Sequence, residues 1–364
     1  DSGNYTITGQ TVTTADITQK PLTALYTGID KVYDALTTAD VTGFSMDIFD
    51  EDTVTFNQSA DFTDKNVGTD KTVNVAGIFI SGTDAANYSL QNLTASTTAD
   101  ITPKAIAISG ITASDKVYDA TTDTTVYTAN ASGWIEGDVV SVSATGTFVN
   151  KNAGTDKTVT LTSTYTGSDL LNYTITDQAT TTADIAPKAI TISGITVPDK
   201  VYDATAAATV DTTNATGWIA GDTISVSASG LFDNKNVGAD KTVVVSGFTL
   251  SGEDSGNYTI TGQTVTTANI TPALLTITAN NDTKIFNNLP YIGGNGVVYD
   301  GFAGNETPAV LSGGLGYGGS SQGAVLVGEY GIEPYGLESD NYEIVYYSGI
   351  LNIRESVNEN ILAS

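Results

Sequence analysis

The residues best equipped for chemistry in this 364-residue sequence are carboxylates, and they recur at fixed registers. Asp30 and Asp34 bracket a Lys-Val-Tyr string, and Asp115/Asp119 and Asp199/Asp203 bracket the same string further on. Asp52, Asp138 and Asp222 form a second register, while Asp16, Asp100 and Asp184 precede regularly placed prolines. Hard anionic oxygens are what Ca²⁺ binds, and an ion held where one module meets the next would fix their relative orientation. The calcium candidates are therefore Asp30, Asp34, Asp52, Asp100, Asp115, Asp119, Asp138, Asp184, Asp199, Asp203 and Asp222. The densest local cluster is Asp47, Asp50, Glu51 and Asp52. No D-x-D-x-D-G loop or calcium-binding nonapeptide is present. Turn formation and capping of backbone N–H groups are the default use of such aspartates. Calcium is the one cofactor the pattern brings forward, and none is required by it.

Other chemistries find less. With no histidine and no cysteine, a His-based triad, the usual zinc ligand sets and a thiol nucleophile are all excluded. Paired carboxylates can hydrolyse glycosides, but here the acids follow the repeat instead of breaking it, so no enzyme is expected. The lysines of DKVYD and DKTV and the asparagines of the N-Y pairs raise a Lys–Asn crosslink, for which exposed ion pairs are the simpler reading. Tyr33, Tyr118 and Tyr202 share one register, and Phe62, Phe148 and Phe232 another. They could stack on sugars, but one large core residue per module explains them more simply. Trp134 and Trp218 match Ile48 in the first repeat, which points to packing.

Positioning of these residues falls to strands. Hydrophobic residues make up 40% and charged residues only 15%, with Thr, Val, Ile and Tyr abundant, a composition suited to pleated sheets. KVYDA recurs at 31–35, 116–120 and 200–204, followed each time by a K-N-x-G-x-D-K-T-V segment and then by an N-Y pair. The units are 21–103, 104–187 and 188–272, followed by a divergent module at 273–354 and a tail at 355–364. Alternating runs between turn residues predict an all-β chain: a tandem array of small Ig-like β-sandwich modules, or β-grasp-like sheets, forming an elongated rod. The divergent module has lost KVYDA, and its glycine-rich GGLGYGGSSQG at 313–323 reads as a surface loop. Tyr317, Tyr330 and Tyr335 around it are candidates for stacking on a glycan.

KVYDA, NVGTDKTV and the closing N-Y together resemble the YDG-type repeat of large filamentous-haemagglutinin-like bacterial surface adhesins, and 273–354 resembles the MBG-type module that accompanies it. The resemblance implies an extracellular, modular stalk without a catalytic site. It departs at the glycine of the name, replaced by Ala35, Ala120 and Ala204. If that position needs positive φ, alanine is costly there, so a differently built turn is expected.

Residues 1–18 repeat 254–271 at seventeen of eighteen positions, so residues 1–20 read as the terminal strand segment of a preceding repeat, with Tyr5, Ile7 and Val12 presenting its apolar face. Such an edge pairs with a preceding module or adds to a neighbouring chain. The expected function is thus a stalk of an adhesin or biofilm matrix protein mediating cell-surface or cell–cell attachment. The alternatives are a filament subunit polymerising through residues 1–18 and a glycan-binding module at 273–354. Expected partners are neighbouring modules, identical chains in a filament, or a host or matrix glycan. A net charge of −27 excludes nucleic acid, and no apolar run is long enough to span a membrane.

Overall fold

The computed structural model describes residues 2–6, 8–9, 12–260 and 264–356, the side chains of Ser2 and Thr264 excepted. It divides into two compact units, Asp1–Lys116 with Thr121–Ile185, and Val117–Ala120 with Ala186–Ser364. Among the described residues the only helical elements are three-residue 3-10 turns such as Ala85–Asn87 and Leu170–Asn172, so the chain is all-β as the composition implies.

The first module shows the plan. Thr55–Phe62, Gly68–Ser81 and Thr94–Thr102 run antiparallel, and Lys31–Val32 joins the far edge parallel to Thr94–Thr102. Lys20–Leu22 pairs parallel with Tyr88–Leu90, and Leu25–Ile29 pairs antiparallel with Asp40–Phe44. Alternation sets the inward face: Val73 and Val75 of the longest strand are buried, while Thr72 and Asn74, which alternate with them, are exposed. Phe62, Phe148 and Phe232 are all buried, as a core position requires.

Register is adjusted locally. In the first and third modules the long strands, Gly68–Ser81 and Gly238–Ser251, contain a bulge whose glycine takes positive φ, 62° at Gly77 and 66° at Gly247. The middle counterpart, Gly154–Thr166, is one residue shorter and pairs through without that interruption. A bulge adds one residue to one side of a ladder, which accounts for the difference in length.

The alanines of KVYDA depart from the expected turn. Ala35, Ala120 and Ala204 each stand at φ 66°, the left-handed region, so the turn is kept and the strain accepted. A Cβ in this region costs roughly 1–2 kcal/mol, and glycine returns part of that gain through its freer unfolded chain. Ala35→Gly is therefore expected to stabilise by ~1 kcal/mol, read as a higher denaturant midpoint at constant m-value. No shift would mean that neighbouring contacts absorb the strain.

The divergent module keeps more of the pattern than its sequence suggests. The KVYDA string is gone, yet the Lys284 ammonium donates to the Leu289 carbonyl, as Lys31 does to Leu36. Phe286 N donates to Arg354 O at 2.8 Å, the bond that Tyr33 N makes to Thr102 O at 2.9 Å. Asn288 takes φ 58° where Ala35 takes 66°. The KVYDA turn survives as Lys284-Ile285-Phe286-Asn287-Asn288, with the phenolic hydroxyl removed.

The glycine-rich stretch is likewise a strand for most of its length. Ser312–Gly318 pairs with Gly328–Glu338, and Tyr317 packs on the core formed by Ala279, Tyr291, Ala324, Ile332, Leu351 and Ile353. A Cβ on Gly316 would lie 2.6 Å from the Tyr335 ring, and one on Gly294 would lie 2.3 Å from the Tyr317 ring. These glycines make room for rings, Gly316 within its strand and Gly294 in the loop ahead of Val297–Asp300, a use that composition alone does not reveal.

The described residues of 1–18 include no strand where the sequence predicts one. Ser2–Asn4 is a 3-10 turn, and no strand precedes Lys20–Leu22 among the described residues. Tyr5 and Val12 are strongly exposed, while Ile7 lies outside the described residues. The near-identical 254–271 is different because it has partners: Tyr258–Ile260 pairs with Lys188–Ile190, and Thr264–Thr271 pairs with Gly238–Ser251. A strand without a neighbour leaves its backbone groups to water.

Candidate functional site

The most elaborate side-chain constellation is built around Asp138, from two consecutive modules of the first unit. The KVYDA turn buries the Tyr33 ring and aims its hydroxyl, which donates to Asp138 Oδ2 at 2.8 Å. Tyr173, immediately after the Leu170–Asn172 turn, donates to the same oxygen at 2.5 Å. Lys65, in the turn ahead of Gly68–Ser81, reaches Asp138 Oδ1 at 2.5 Å and Asp169 Oδ1 at 3.0 Å. The two rings meet edge to face, centroids 5.5 Å apart and planes at 82°.

Backbone groups hold the receiving half in shape. Ile135 N donates to the Tyr173 hydroxyl at 3.0 Å, and Val139 N to Asp169 Oδ2 at 2.9 Å. Beside them Asn172 Oδ1 accepts from Val67 N at 2.9 Å, and its amide donates to Asn66 Oδ1 at 3.2 Å. Tyr33, Lys65 and Val67 thus form a tooth, and Asp138, Asp169, Asn172 and Tyr173 the socket that receives it.

The second unit contains the same geometry. Tyr118 and Tyr258 both donate to Asp222 Oδ2, at 2.8 and 2.5 Å, with ring centroids 5.4 Å apart. Where the third repeat meets the divergent module, Glu306 replaces the aspartate. Tyr202 donates to its Oε1 at 2.8 Å, Tyr342 to its Oε2 at 2.7 Å, and Lys235 reaches Oε1 at 2.6 Å. Val237 N and the Asn236 side chain pair with Asn341, repeating the bonds to Asn172.

The electrostatics are those of a clasp. Burial pushes the Asp138 carboxyl up, but Lys65, Tyr173 and Tyr33 outweigh it and hold the group below the ordinary carboxylate range. The Val139 N–H and then Lys65 lower Asp169. Glu306 is raised by burial and lowered further by Lys235, Tyr342 and Tyr202, with a net depression. Asp138, then Tyr33 and Asp169, raise Lys65 well above its ordinary value, so its ammonium is a fixed positive pin and not a nucleophile. Burial and then the neighbouring carboxylate push Tyr173, Tyr258 and Tyr342 up to about 12.

These shifts set two pH windows. The depressed carboxyls stabilise the folded joints above their unfolded value near 4, and that contribution disappears as pH falls through the lower folded values. The raised tyrosines contribute fully below their unfolded value near 10 and lose the contribution as pH rises through about 12. Melting temperature is therefore expected to fall below pH ~4 and again between pH ~10 and ~12. Phenolate absorbance checks the second limb: titration of all 18 tyrosines near pH 10 in the folded chain would contradict it.

The remaining calcium candidates are engaged with backbone N–H groups or neighbouring side chains. Asp30 Oδ1 accepts from Asp100 N and Asp100 Oδ1 from Asp70 N, both at 2.8 Å, and Asp115 and Asp184 repeat the pair at 2.7 and 2.8 Å. Asp199 accepts from the backbone and side chain of Asn269. Asp34 and Asp203 receive Lys31 and Lys200, and Asp119 has a partner as well. Asp52 accepts from Tyr88. Among the described residues no three acidic side chains converge as a metal ion would require. The DKTV lysine Lys71 pairs with Asp64, and Lys31 is held in its own turn, so neither meets the N-Y asparagines.

The sequence reading placed Tyr33, Tyr118 and Tyr202 in cores but did not join them to the acids, and it passed over Lys65, Lys151 and Lys235. Its available signal was the recurrence of a lysine ahead of each N-x-G turn together with a single acid, Asp138, Asp222 and Glu306, one repeat later.

Fold and clasp define a tandem array of all-β structural modules. The chain belongs to the YDG-domain family, whose model matches residues 18–99, 102–183 and 186–267, and an MBG domain of the YGX type matches 275–352. Both are adhesin-type structural modules and not enzyme families. No curated protein matches the chain. Among solved structures it is similar to protocadherin gamma B2 extracellular cadherin domains 1–5, at 10% identity over 93% of this chain and 80% of that one, TM-score 0.25. It is also similar to Drosophila N-cadherin EC1–4, at 8% identity over 93% and 100%, TM-score 0.21. The Bacillus anthracis TIE protein matches at 8% identity over 91% and 75%, TM-score 0.24.

Proposed function

We propose that the chain is a stalk region of an extracellular bacterial surface adhesin or biofilm matrix protein, carrying load between an anchored end and an adhesive one. The observation that supports it is the clasp. Its costliest groups, a buried carboxylate and buried phenols, are spent on holding one module to the next: the first and third instances draw half their groups from each of two successive modules. A β module pulled from its ends is loaded through such joints, and a short ion pair onto a carboxylate that also accepts two buried hydroxyls resists separation better than a fully exposed pair does.

Single-molecule stretching of the full chain tests this. Each YDG-matched stretch, for instance 18–99, is expected to release on the order of 280 Å of contour as it unfolds, in separate and reversible events. Unfolding in one step, or at forces no different from those of a chain carrying Lys65→Met and Asp138→Ala, would count against a load-bearing stalk. Selective binding of the full chain on a glycan array would favour the recognition module instead. Open-ended oligomers growing with concentration would favour the filament.

A further inference from the structure

The first module carries a complete socket of its own. Tyr88 donates to Asp52 Oδ2 at 2.5 Å, Phe49 N to the Tyr88 hydroxyl at 3.0 Å, and Thr53 N to Asp84 Oδ2 at 2.9 Å. These are the bonds that Tyr173, Asp138, Ile135, Val139 and Asp169 make in the second module. Asp138 receives a second phenol and an ammonium besides Tyr173; Asp52 faces an open cavity of about 310 Å³ bordered by Thr18, Phe49, Asn87 and Tyr88. Two further observations say what fits there. Ile17 is 100% exposed, whereas Ile101, Ile185 and Ile270, its counterparts in the other repeats, are each 1% exposed within a module's sheet. And residues 1–18 carry the sequence that, at 254–271, closes a module onto Lys188–Ile190 and Gly238–Ser251.

We infer that the Asp52–Tyr88 socket takes the tyrosine–lysine tooth of a further YDG module with the sequence character of residues 188–253, and that residues 1–18 complete that module's sheets. Its KVYD tyrosine would donate to Asp52 with its ring edge-on to Tyr88, and its K-N lysine would bridge Asp52 and Asp84. Asp52 and Asp84 are the counterparts of Asp138 and Asp169, which receive Lys65, and Asn87 is the counterpart of Asn172, which receives Val67. Within this chain Tyr33, Tyr118 and Tyr202 are each engaged at a clasp, so the tooth comes from a module other than these three. This rests on the clasp as the device that joins modules, and goes beyond it in assigning a docking site and the chemistry of its partner.

The test is the full chain with a second copy of residues 188–253 fused directly ahead of Asp1, compared with the unextended chain by hydrogen exchange. Amides at 47–54 and 84–90 are expected to gain ~10-fold or more protection in the fusion, and Asp52→Ala, or Lys235→Met in the added copy alone, is expected to remove the gain. Equal protection with and without the extension overturns the inference, as does a gain indifferent to both substitutions. An added segment with no protected amides of its own overturns it too, because residues 1–18 would then not be closing a module. Asp138→Ala in the same fusion separates the two readings. Loss of protection at 135–139 with no response at Asp52 sinks only this inference, while silence at both positions sinks the joint itself.

Discussion

Asp138→Ala is expected to destabilise the joint between the first two modules by about 3 kcal/mol, the low end of the cost of breaking a buried pair from one side. The carboxylate is 2% exposed and satisfies three donors, Tyr33, Tyr173 and Lys65. Its removal leaves two phenolic hydroxyls without their acceptor in a space closed by their own rings. Lys65 is less affected: it is 32% exposed and keeps Asp169 at 3.0 Å, which places the estimate low in the range. Asp138→Asn keeps the shape but turns one acceptor into a donor facing either the ammonium or a hydroxyl, so it should recover only part of the loss. A double-mutant cycle with Lys65→Met isolates the ion-pair contribution from the hydroxyls. Denaturant unfolding supplies the measurement, and a change under ~1 kcal/mol would reduce the pair to the class of exposed surface bridges.

The acid at this position also explains why the clasp tolerates Glu306. The longer side chain presents separate oxygens to the two phenols, Oε1 to Tyr202 and Oε2 to Tyr342, whereas Asp138 receives both on Oδ2. The chemistry, one buried anion against two phenols and an ammonium, is what persists across modules whose sequences have otherwise diverged.

What was legible in the sequence is what each module does for itself. Alternation around Val73 and Val75, the single large Phe62, Phe148 and Phe232, and the turn aspartates each express a local demand repeated three times. The clasp is not local: Tyr33 and Asp138 are 105 residues apart, more than one repeat. A reading organised by repeats therefore files the tyrosine under one module's core and the aspartate under the next module's turns. The turn at Ala35 was misread because steric cost argues against φ 66° for alanine but does not forbid it when a buried tyrosine and a Lys31 bridge to Leu36 and Thr38 fix the loop around it. In the divergent module the glycines hid a strand, since sequence shows missing side chains but not the Tyr317 and Tyr335 rings that occupy their space.

Tyr33→Ala is expected to cost about 4 kcal/mol, the usual penalty for deleting a buried aromatic ring, and its pattern matters more than its size. Phe62→Ala removes a ring of equal burial and should cost a similar ~3–5 kcal/mol. The two differ in what each ring touches. Phe62 is held within the first module, opposite Val73 with its N–H on Thr37 O, so its loss should open amides only there. Tyr33 anchors its backbone to Thr102 but sets its ring and hydroxyl against Tyr173 and Asp138 of the second module. Its loss should therefore lower protection at 135–139 and 172–173 as well as in its own turn. Tyr33→Phe keeps the ring and removes one bond to a charged acceptor, so a cost of about 1.5–3 kcal/mol is expected, felt at the socket and not in the first module's sheet. If Tyr33→Ala instead loosens the first module alone, the ring is an ordinary core residue and the clasp is held by Lys65. If both modules respond to Tyr33 and only one to Phe62, the buried phenol is the element through which one module reads the fold of the next.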